Sequence, residues 1–252
     1  MTQEERLIEL EEFIQTQGKV TLDYICQHYN ISSDSARRDL VKLAQLPNIL
    51  RIRGGAIRAE KHLEGPYVQR TQFSPEKNLL TAWAAKTINE KEILFIDAGT
   101  TSAALARQLP SPISVITNSI EVLSEIIGNK EISISVLGGN FDDYSHAILG
   151  NTVLEQIKRY YADKAFIGVS ALSENGITAD SELDALQKIA MAKQSKKVIC
   201  IAAFSKFNTQ LMYQSCSWSD IDHIITDKTP PKNILTLIEE NDVELVVVGN
   251  NE

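Results

Sequence analysis

The most constraining feature of this 252-residue sequence is an alternation that begins near residue 93 and continues to residue 249. Short apolar runs, "EILFID", "ISVIT", "ISISVLGG", "KAFIGVSA", "KVICIAA", "DHIIT" and "VELVVVG", are separated in most cases by amphipathic segments, among them 101–109, 119–128, 151–162 and 182–195. Runs of this length rich in Val and Ile are strand-like, whereas apolar residues three and four apart mark helices. Parallel neighbours need a crossover, and helices used as crossovers cover both faces of the sheet. The pattern therefore predicts an α/β, Rossmann-like effector domain with a mostly parallel sheet over residues 76–252, opened by the helix "EKNLLTAWAAKTINE".

The first 58 residues follow a different pattern. Leu7, Leu10 and Ile14 have helical spacing and Gly18 is a stop. Thr21 can cap a short second helix with Leu22, Ile25, Cys26 and Tyr29 on its apolar side. Ser32 can cap a third, "SDSARRDLVKLA", with Ala36, Leu40 and Leu43 on one face. The segment "NILRIRGGAIR" then gives a strand over 49–52, a Gly54-Gly55 turn and a return through Ile57. Three helices followed by a glycine-tipped hairpin describe a winged helix-turn-helix. Residues 59–75 mix Gly, Pro and charge without a period and are expected to link the two domains.

Charge distribution gives the small domain a partner. The chain carries a formal net charge of −8, yet residues 31–58 hold six basic residues against two acidic ones, a net of +4. A local basic surface on an acidic body suits a polyanion. A third helix of this kind can enter the major groove, so Ser33, Asp34, Ser35, Arg37, Arg38 and Lys42 are candidates to meet double-stranded operator DNA. Arg51, Arg53 and Arg58 of the wing are candidates for phosphate contacts. The competing reading is a solvated helix whose arginines pair with Asp34 and Asp39.

Other classes find little support. No apolar run reaches 18 residues, so no membrane span is expected. The acidic start is unlike a signal peptide, and a cytoplasmic location is expected. Cys26, Cys200 and Cys216 lie far apart without metal spacing, and His62, His146 and His223 share no spacing suggesting a metal or a triad. No cofactor is expected.

"ISSDSARRDL" followed by "LRIRGGA" resembles the N-terminal signature of DeoR-type bacterial transcriptional repressors, an Arg-Arg-Asp-Leu run and a Gly-Gly-Ala wing. There are departures: Ser35-Ala36 where the family usually has Thr-Ile, Pro47-Asn48 in place of a glycine before the wing, and Arg53 for a common His. These are expected to change which operator is read.

In open parallel sheets, ligands bind beyond the C-terminal ends of strands. The first strand ends in "DAGTTSAALA", where Gly99, Thr100 and Thr101 open a helix and can hold phosphate, or simply form a tight turn with a threonine cap. The next two strands end in "TNS" and in Gly138-Gly139. Asp184 and Lys188 stand four apart on a helix and, taken alone, describe a surface ion pair. Lys206, just after a strand, is by itself more simply a solvated lysine.

The ordered set "DAGTT", "TNS", "LGG", "AFIGVSA", "SKF" and "IITD" resembles the effector domain of the same DeoR-type family, which is similar to sugar-phosphate isomerases of the ribose-5-phosphate type. The resemblance implies that Gly99, Thr100 and Thr101 hold the phosphate of a phosphorylated sugar or polyol. It further implies that Asp97, Asn118, Gly139, Asp184, Lys188 and Lys206 line the rest of the pocket. Ala203 stands where an Asp is frequent, Asn208 where Gly is common, and Asp184 where a Glu is usual. These changes remove acid/base candidates and argue against isomerase activity.

The resulting expectation is a non-enzymatic, DNA-binding transcriptional regulator, a repressor of a carbohydrate-utilisation operon. It would be modulated by a phosphorylated sugar and would act as a homodimer or higher homo-oligomer. One alternative is a regulator with a silent pocket that answers to a partner protein. The other is an isomerase with Asp184 as base and Lys206 as cation.

Overall fold

The computed structural model describes residues 2–44, 49–52, 54–58, 65–70 and 74–249. The chain divides into two units, Met1–Leu63 and Glu64–Glu252.

In the small unit, helix α1 (Gln3–Gln17) begins at a capping box. The Thr2 hydroxyl accepts from the Glu5 N–H, and the Glu5 carboxylate accepts from the Thr2 N–H. It ends at Gly18 in the left-handed region. Strand β1 (Lys19–Thr21) follows, then α2 (Leu22–Tyr29), capped by the Thr21 hydroxyl at 3.1 Å from the Tyr24 nitrogen. Helix α3 (Ser33–Leu43) is capped by Ser32, which accepts from the Ser35 N–H. Strands β2 (Ile49–Ile52) and β3 (Gly55–Arg58) form the hairpin, and β3 also pairs with β1 to give the order β1-β3-β2. The third strand was not anticipated, because three residues cannot display a period of two. Its presence explains the second wing glycine: a Cβ at Gly55 would lie 2.1 Å from the Val20 carbonyl oxygen. Leu10 and Ile14 of α1, Ile25 of α2, and Ala36, Leu40 and Leu43 of α3 close the core.

The large unit starts with α4 (Pro75–Lys86), β4 (Ile93–Ile96), α5 (Thr100–Ala106), β5 (Ile113–Thr117), α6 (Ile120–Ile126) and β6 (Ile132–Val136). A hairpin of β7 (Asn140–Asp142) and β8 (Ala147–Leu149) leads to α7 (Asn151–Ile157) and β9 (Ala162–Gly168). Then come β10 (Ala171–Ser173), β11 (Gly176–Ala179), α8 (Glu182–Lys193), β12 (Ser195–Ile201) and β13 (Tyr213–Gln214). The chain continues through β14 (His223–Thr226), α9 (Lys232–Glu240) and β15 (Glu244–Val247).

The seven strands expected from the apolar runs form one parallel sheet in the order β15-β14-β12-β9-β4-β5-β6. Alternation along each strand divides the core in two. Phe95, Ala165, Ile167, Val198, Cys200 and Ile224 face one side, with Met191 of α8 and Ile234 of α9. Leu94, Ile96, Phe166, Ile199, Ile201 and Ile225 face the other, with Leu80 of α4 and Leu105 of α5. The cysteines of this unit are small core hydrophobes: Cys200 and Cys216 are fully buried, and burial pushes the Cys216 thiol up to about 12. The hairpin β7–β8 and the small sheet β10-β11-β13 were not foreseen, since their strands are two to four residues long. No helix among the described residues is long and apolar enough to cross a membrane.

Strand order locates the binding crevice. From β4 the chain steps to β5 and β6 on one side, then returns to β9 on the other. The neighbours β4 and β9 are thus the switch point, beyond whose C-terminal ends connections diverge and leave an opening. Part of the segment expected as a bare linker packs onto this unit, with Tyr67 only 1% exposed.

Candidate nucleic-acid interface and effector cavity

Helix α3 buries Ala36, Asp39, Leu40 and Leu43 and leaves Ser33, Asp34, Arg37, Arg38 and Lys42 exposed, with Ser35 half-buried. Its acidic residues behave differently. Asp34 meets Arg37 at 3.6 Å with both side chains in solvent, a contact worth little and readily exchanged for a phosphate. Asp39 turns inward and is fully buried, accepting from Arg6 Nε at 2.7 Å and from Gln3 Nε2 at 2.8 Å. The reading in which Asp39 neutralises the arginines of its own helix is therefore corrected. Its partner is Arg6 of α1, and the basic face of α3 keeps its charge. Lys42 Nζ donates to Gln3 Oε1 at 2.7 Å, joining the same network. Arg51 is exposed on β2. Arg53 and the Arg58 side chain lie outside the described residues.

The large unit's cavity opens at the switch point. Its wall takes Ala98 to Ser102 from the end of β4 and the first turn of α5, Gly168 to Ser170 from the end of β9, and Ile201 and Ala203 from the end of β12. Of the expected residues, Gly99, Thr100, Thr101, Asp184, Lys188 and Lys206 line it. Gly99 has φ 143°, a conformation L side chains rarely adopt, and this lets the chain turn directly into α5.

Lys188 is not at the surface, as the isolated four-residue spacing suggested. It is 3% exposed and lies between two carboxylates, 2.6 Å from Asp97 Oδ2 and 2.7 Å from Asp184 Oδ1. Burial alone would depress its pKa, but Asp184 and Asp97 outweigh that and hold the ammonium above its ordinary value. Asp97 is fully buried beneath the wall and also accepts from the Gly168 N–H at 3.1 Å. Burial pushes its carboxyl up against the pull of Lys188, and Asp184 adds to the rise. One ammonium shared by two carboxylates cannot fully compensate both. Lys206 is also buried, at 9% exposure, on the turn after β12.

Asn118 and Gly139 do not line this cavity. Asn118 accepts from the Ile148 N–H at 2.8 Å through its backbone carbonyl and donates to the Ile148 carbonyl through its side-chain Nδ2. It thereby fastens β8, whose Ala147 does line the cavity, so Asn118 acts on the wall from behind. Gly139 abuts the same hairpin: a Cβ there would stand 2.7 Å from the Leu149 carbonyl oxygen. The polar "TNS" end is largely latch chemistry. Thr117 Oγ1 donates to the Ile96 carbonyl, and the Ser119 hydroxyl caps α6.

Other cavity residues carried no signal in the sequence. Arg70 stands in the expected linker and Lys77 in the first turns of α4, where Nζ donates to Thr100 Oγ1 at 2.7 Å. Ser145, Ser170 and Asp180 add polar groups. Cations from four separate segments, Arg70, Lys77, Lys188 and Lys206, thus line one cavity, while Asp180 and Asp184 supply acceptors suited to hydroxyl groups. Asn208, where a glycine was expected, has φ 55°, a left-handed conformation that Asn tolerates better than most residues.

Known proteins resolve the pairing of a basic helix-turn-helix with a polar, cation-rimmed sensor. The DeoR-like helix-turn-helix domain matches residues 6–62, and the DeoR C terminal sensor domain matches residues 72–228. This chain belongs to the DeoR family.

The HTH-type transcriptional repressor GlcR of Bacillus subtilis (strain 168) is 39% identical over 256 residues, covering 100% of this chain and 99% of that protein. The glycerol-3-phosphate regulon repressor of Escherichia coli (strain K12) is 28% identical over 250 residues, covering 97% and 99%. Among solved structures, ribose 5-phosphate isomerase A from Neisseria gonorrhoeae is 17% identical with a TM-score of 0.39 over 53% of each chain, a distance at which the likeness carries no argument. This DeoR-family chain is a transcriptional regulator that binds DNA through its helix-turn-helix, and the relatives named above are transcription regulators, not enzymes.

Proposed function

We propose that this DeoR-family protein represses a carbohydrate-utilisation operon and is released from its operator by a phosphorylated sugar or polyol. The relatives named above are repressors, and one is named for a glycerol-3-phosphate regulon. In this reading Ser33, Asp34, Ser35, Arg37, Arg38 and Lys42 meet the major groove, and Arg51, Arg53 and Arg58 follow the backbone. Residues 1–58 form the DNA-binding domain, 59–75 the link and 76–252 the effector domain. Two or more copies pair on operator half-sites in the cytoplasm.

The observation that carries the effector reading is that Lys77, Lys188 and Lys206 line the same cavity as the Gly99-Thr100-Thr101 turn at the switch point, with Lys77 Nζ bonded to Thr100 Oγ1. A phosphate dianion would neutralise charge there and accept from the Thr100 and Thr101 hydroxyls. The sugar hydroxyls would donate to Asp184, while Asp97 holds Lys188 in place and Asn118 and Gly139 support the wall. Affinity for DNA changes only if the ligand favours one conformation over another.

The test is a thermal-shift screen of the purified protein against phosphorylated sugars and polyols, each beside its unphosphorylated form. A ligand specific to the native state raises Tm by mass action. A rise confined to phosphorylated compounds is expected. Equal rises with and without phosphate, or none with any compound, would remove the phosphate reading.

A further inference from the structure

Arg70 belongs to the short stretch that joins the helix-turn-helix to the sensor, and it lines the effector cavity. The stretch is anchored at several points. The Tyr67 N–H donates to the Tyr144 carbonyl at 2.8 Å, and its buried ring stacks on His146, with centroids 4.7 Å apart and planes 9° from parallel. His146 Nδ1 lies 2.6 Å from Glu121 Oε1 of α6. Arg70 Nε donates to the Gly65 carbonyl at 2.8 Å, and its guanidinium carbon stands 6.0 Å over the Tyr144 ring. Tyr144 and Ser145 lie on one turn, between β7 and β8, and Ser145 lines the same cavity.

One side chain thus touches three things: the joining stretch through Gly65, the turn that anchors this stretch through Tyr144, and the cavity. Guanidinium presents several donors in one plane and is suited to phosphate, and Lys77 and Thr100 line the same cavity. We propose that Arg70 is a phosphate ligand of the effector, and that by drawing on Arg70 the effector shifts the 65–70 strap that leads to the DNA-binding unit. This rests on the reading of the cavity as a phosphate site. It adds that the ligand is held in part by the joining stretch itself, so that binding and DNA release share a residue.

A ligand-binding residue that also transmits must affect two quantities. Arg70→Gln in the full-length chain is expected to weaken binding of glycerol 3-phosphate and glucose 6-phosphate at least tenfold by calorimetry. Inorganic phosphate, as a probe of the anion contact alone, should lose the same factor. At ligand concentrations that saturate the variant, the loss of DNA affinity should be at least threefold smaller than in the wild type. Arg70→Lys keeps the charge without the planar fork and is expected to fall between the two. It also serves as the test variant if Arg70→Gln does not melt cooperatively.

Unchanged ligand binding in Arg70→Gln, with Thr100→Val defective, would overturn this inference and leave the cavity reading standing. Weakened binding with full DNA release at saturation would overturn the transmitting role. Failure of the wild type to bind any of the three phosphates would remove the cavity reading, and this inference with it.

Discussion

Lys188 and Asp97, 91 residues apart in sequence, meet at 2.6 Å inside the large unit and tie α8 to the end of β4. Asp184, one helical turn before Lys188, completes the triad.

Removal of the cation should cost more than removal of one carboxylate. Lys188→Ala leaves two buried or half-buried carboxylates unpaired, and a loss of about 3–5 kcal/mol is expected in urea unfolding at pH 7. Asp97→Asn leaves Lys188 its Asp184 partner and should cost clearly less. The signs agree with the shifts. Lys188 has a folded pKa above its unfolded one, so its stabilisation is complete at neutral pH and declines only as pH rises through the folded value. Asp97 has a raised folded pKa, so its ionisation costs stability as pH rises above the unfolded carboxylate value. Equal losses in the two variants would contradict this assignment.

Glu92 and Lys164 make the opposite kind of pair. Burial raises the Glu92 carboxyl, but bonds from Lys164 and Asn89 outweigh it and leave the pKa below its ordinary value. A depressed carboxylate stabilises above its unfolded pKa, and this is lost as pH falls through the folded value. Glu92→Gln should therefore lower Tm at pH 7, and the gap to wild type should close as pH falls below the ordinary glutamate range. A gap independent of pH would show that packing, rather than ionisation, sets the difference.

Arg38 is exposed on the face of α3 opposite its buried residues. Arg38→Ala is expected to weaken operator binding at least tenfold, about 1.4 kcal/mol, while the melt of the large unit is unchanged. If the contact is to phosphate, the salt slope of log K should also fall by about 0.9. Unchanged affinity would take Arg38 off the contact surface.

Asp39 should act through structure. With Arg6 only 8% exposed, Asp39→Ala would strand a buried guanidinium and loosen α3 from α1. About 3–5 kcal/mol of destabilisation is expected in the small unit. Circular dichroism and proteolysis near residue 39 report it, and a variant as stable as wild type would contradict the network.

The large-scale fold was legible because the central strands of the sheet, such as β4, β5 and β9, are largely buried on both faces, and such strands announce themselves as apolar runs. The short pairings were not: Lys19–Thr21 and Asn140–Asp142 offer three residues each, too few for a period. At the cavity, Gly99 and the two threonines stood out because glycine and hydroxyls follow a strand directly. Arg70 and Lys77 did not, since a lone cation in a linker or a helix's first turns is indistinguishable from a solvated one until the chain folds it onto the cavity. The same limit applied to Asp39, whose partner Arg6 lies 33 residues away on another helix.

The most direct measurement is operator affinity by fluorescence anisotropy, on DNA selected by the protein from random sequence, with and without a panel of phosphorylated sugars. One such compound is expected to weaken the wild-type complex at least tenfold while its unphosphorylated form does nothing. In Thr100→Val, DNA should bind as before and the compound should have no effect. DNA affinity indifferent to every phosphorylated compound, or a Thr100→Val protein that responds like wild type, would contradict it.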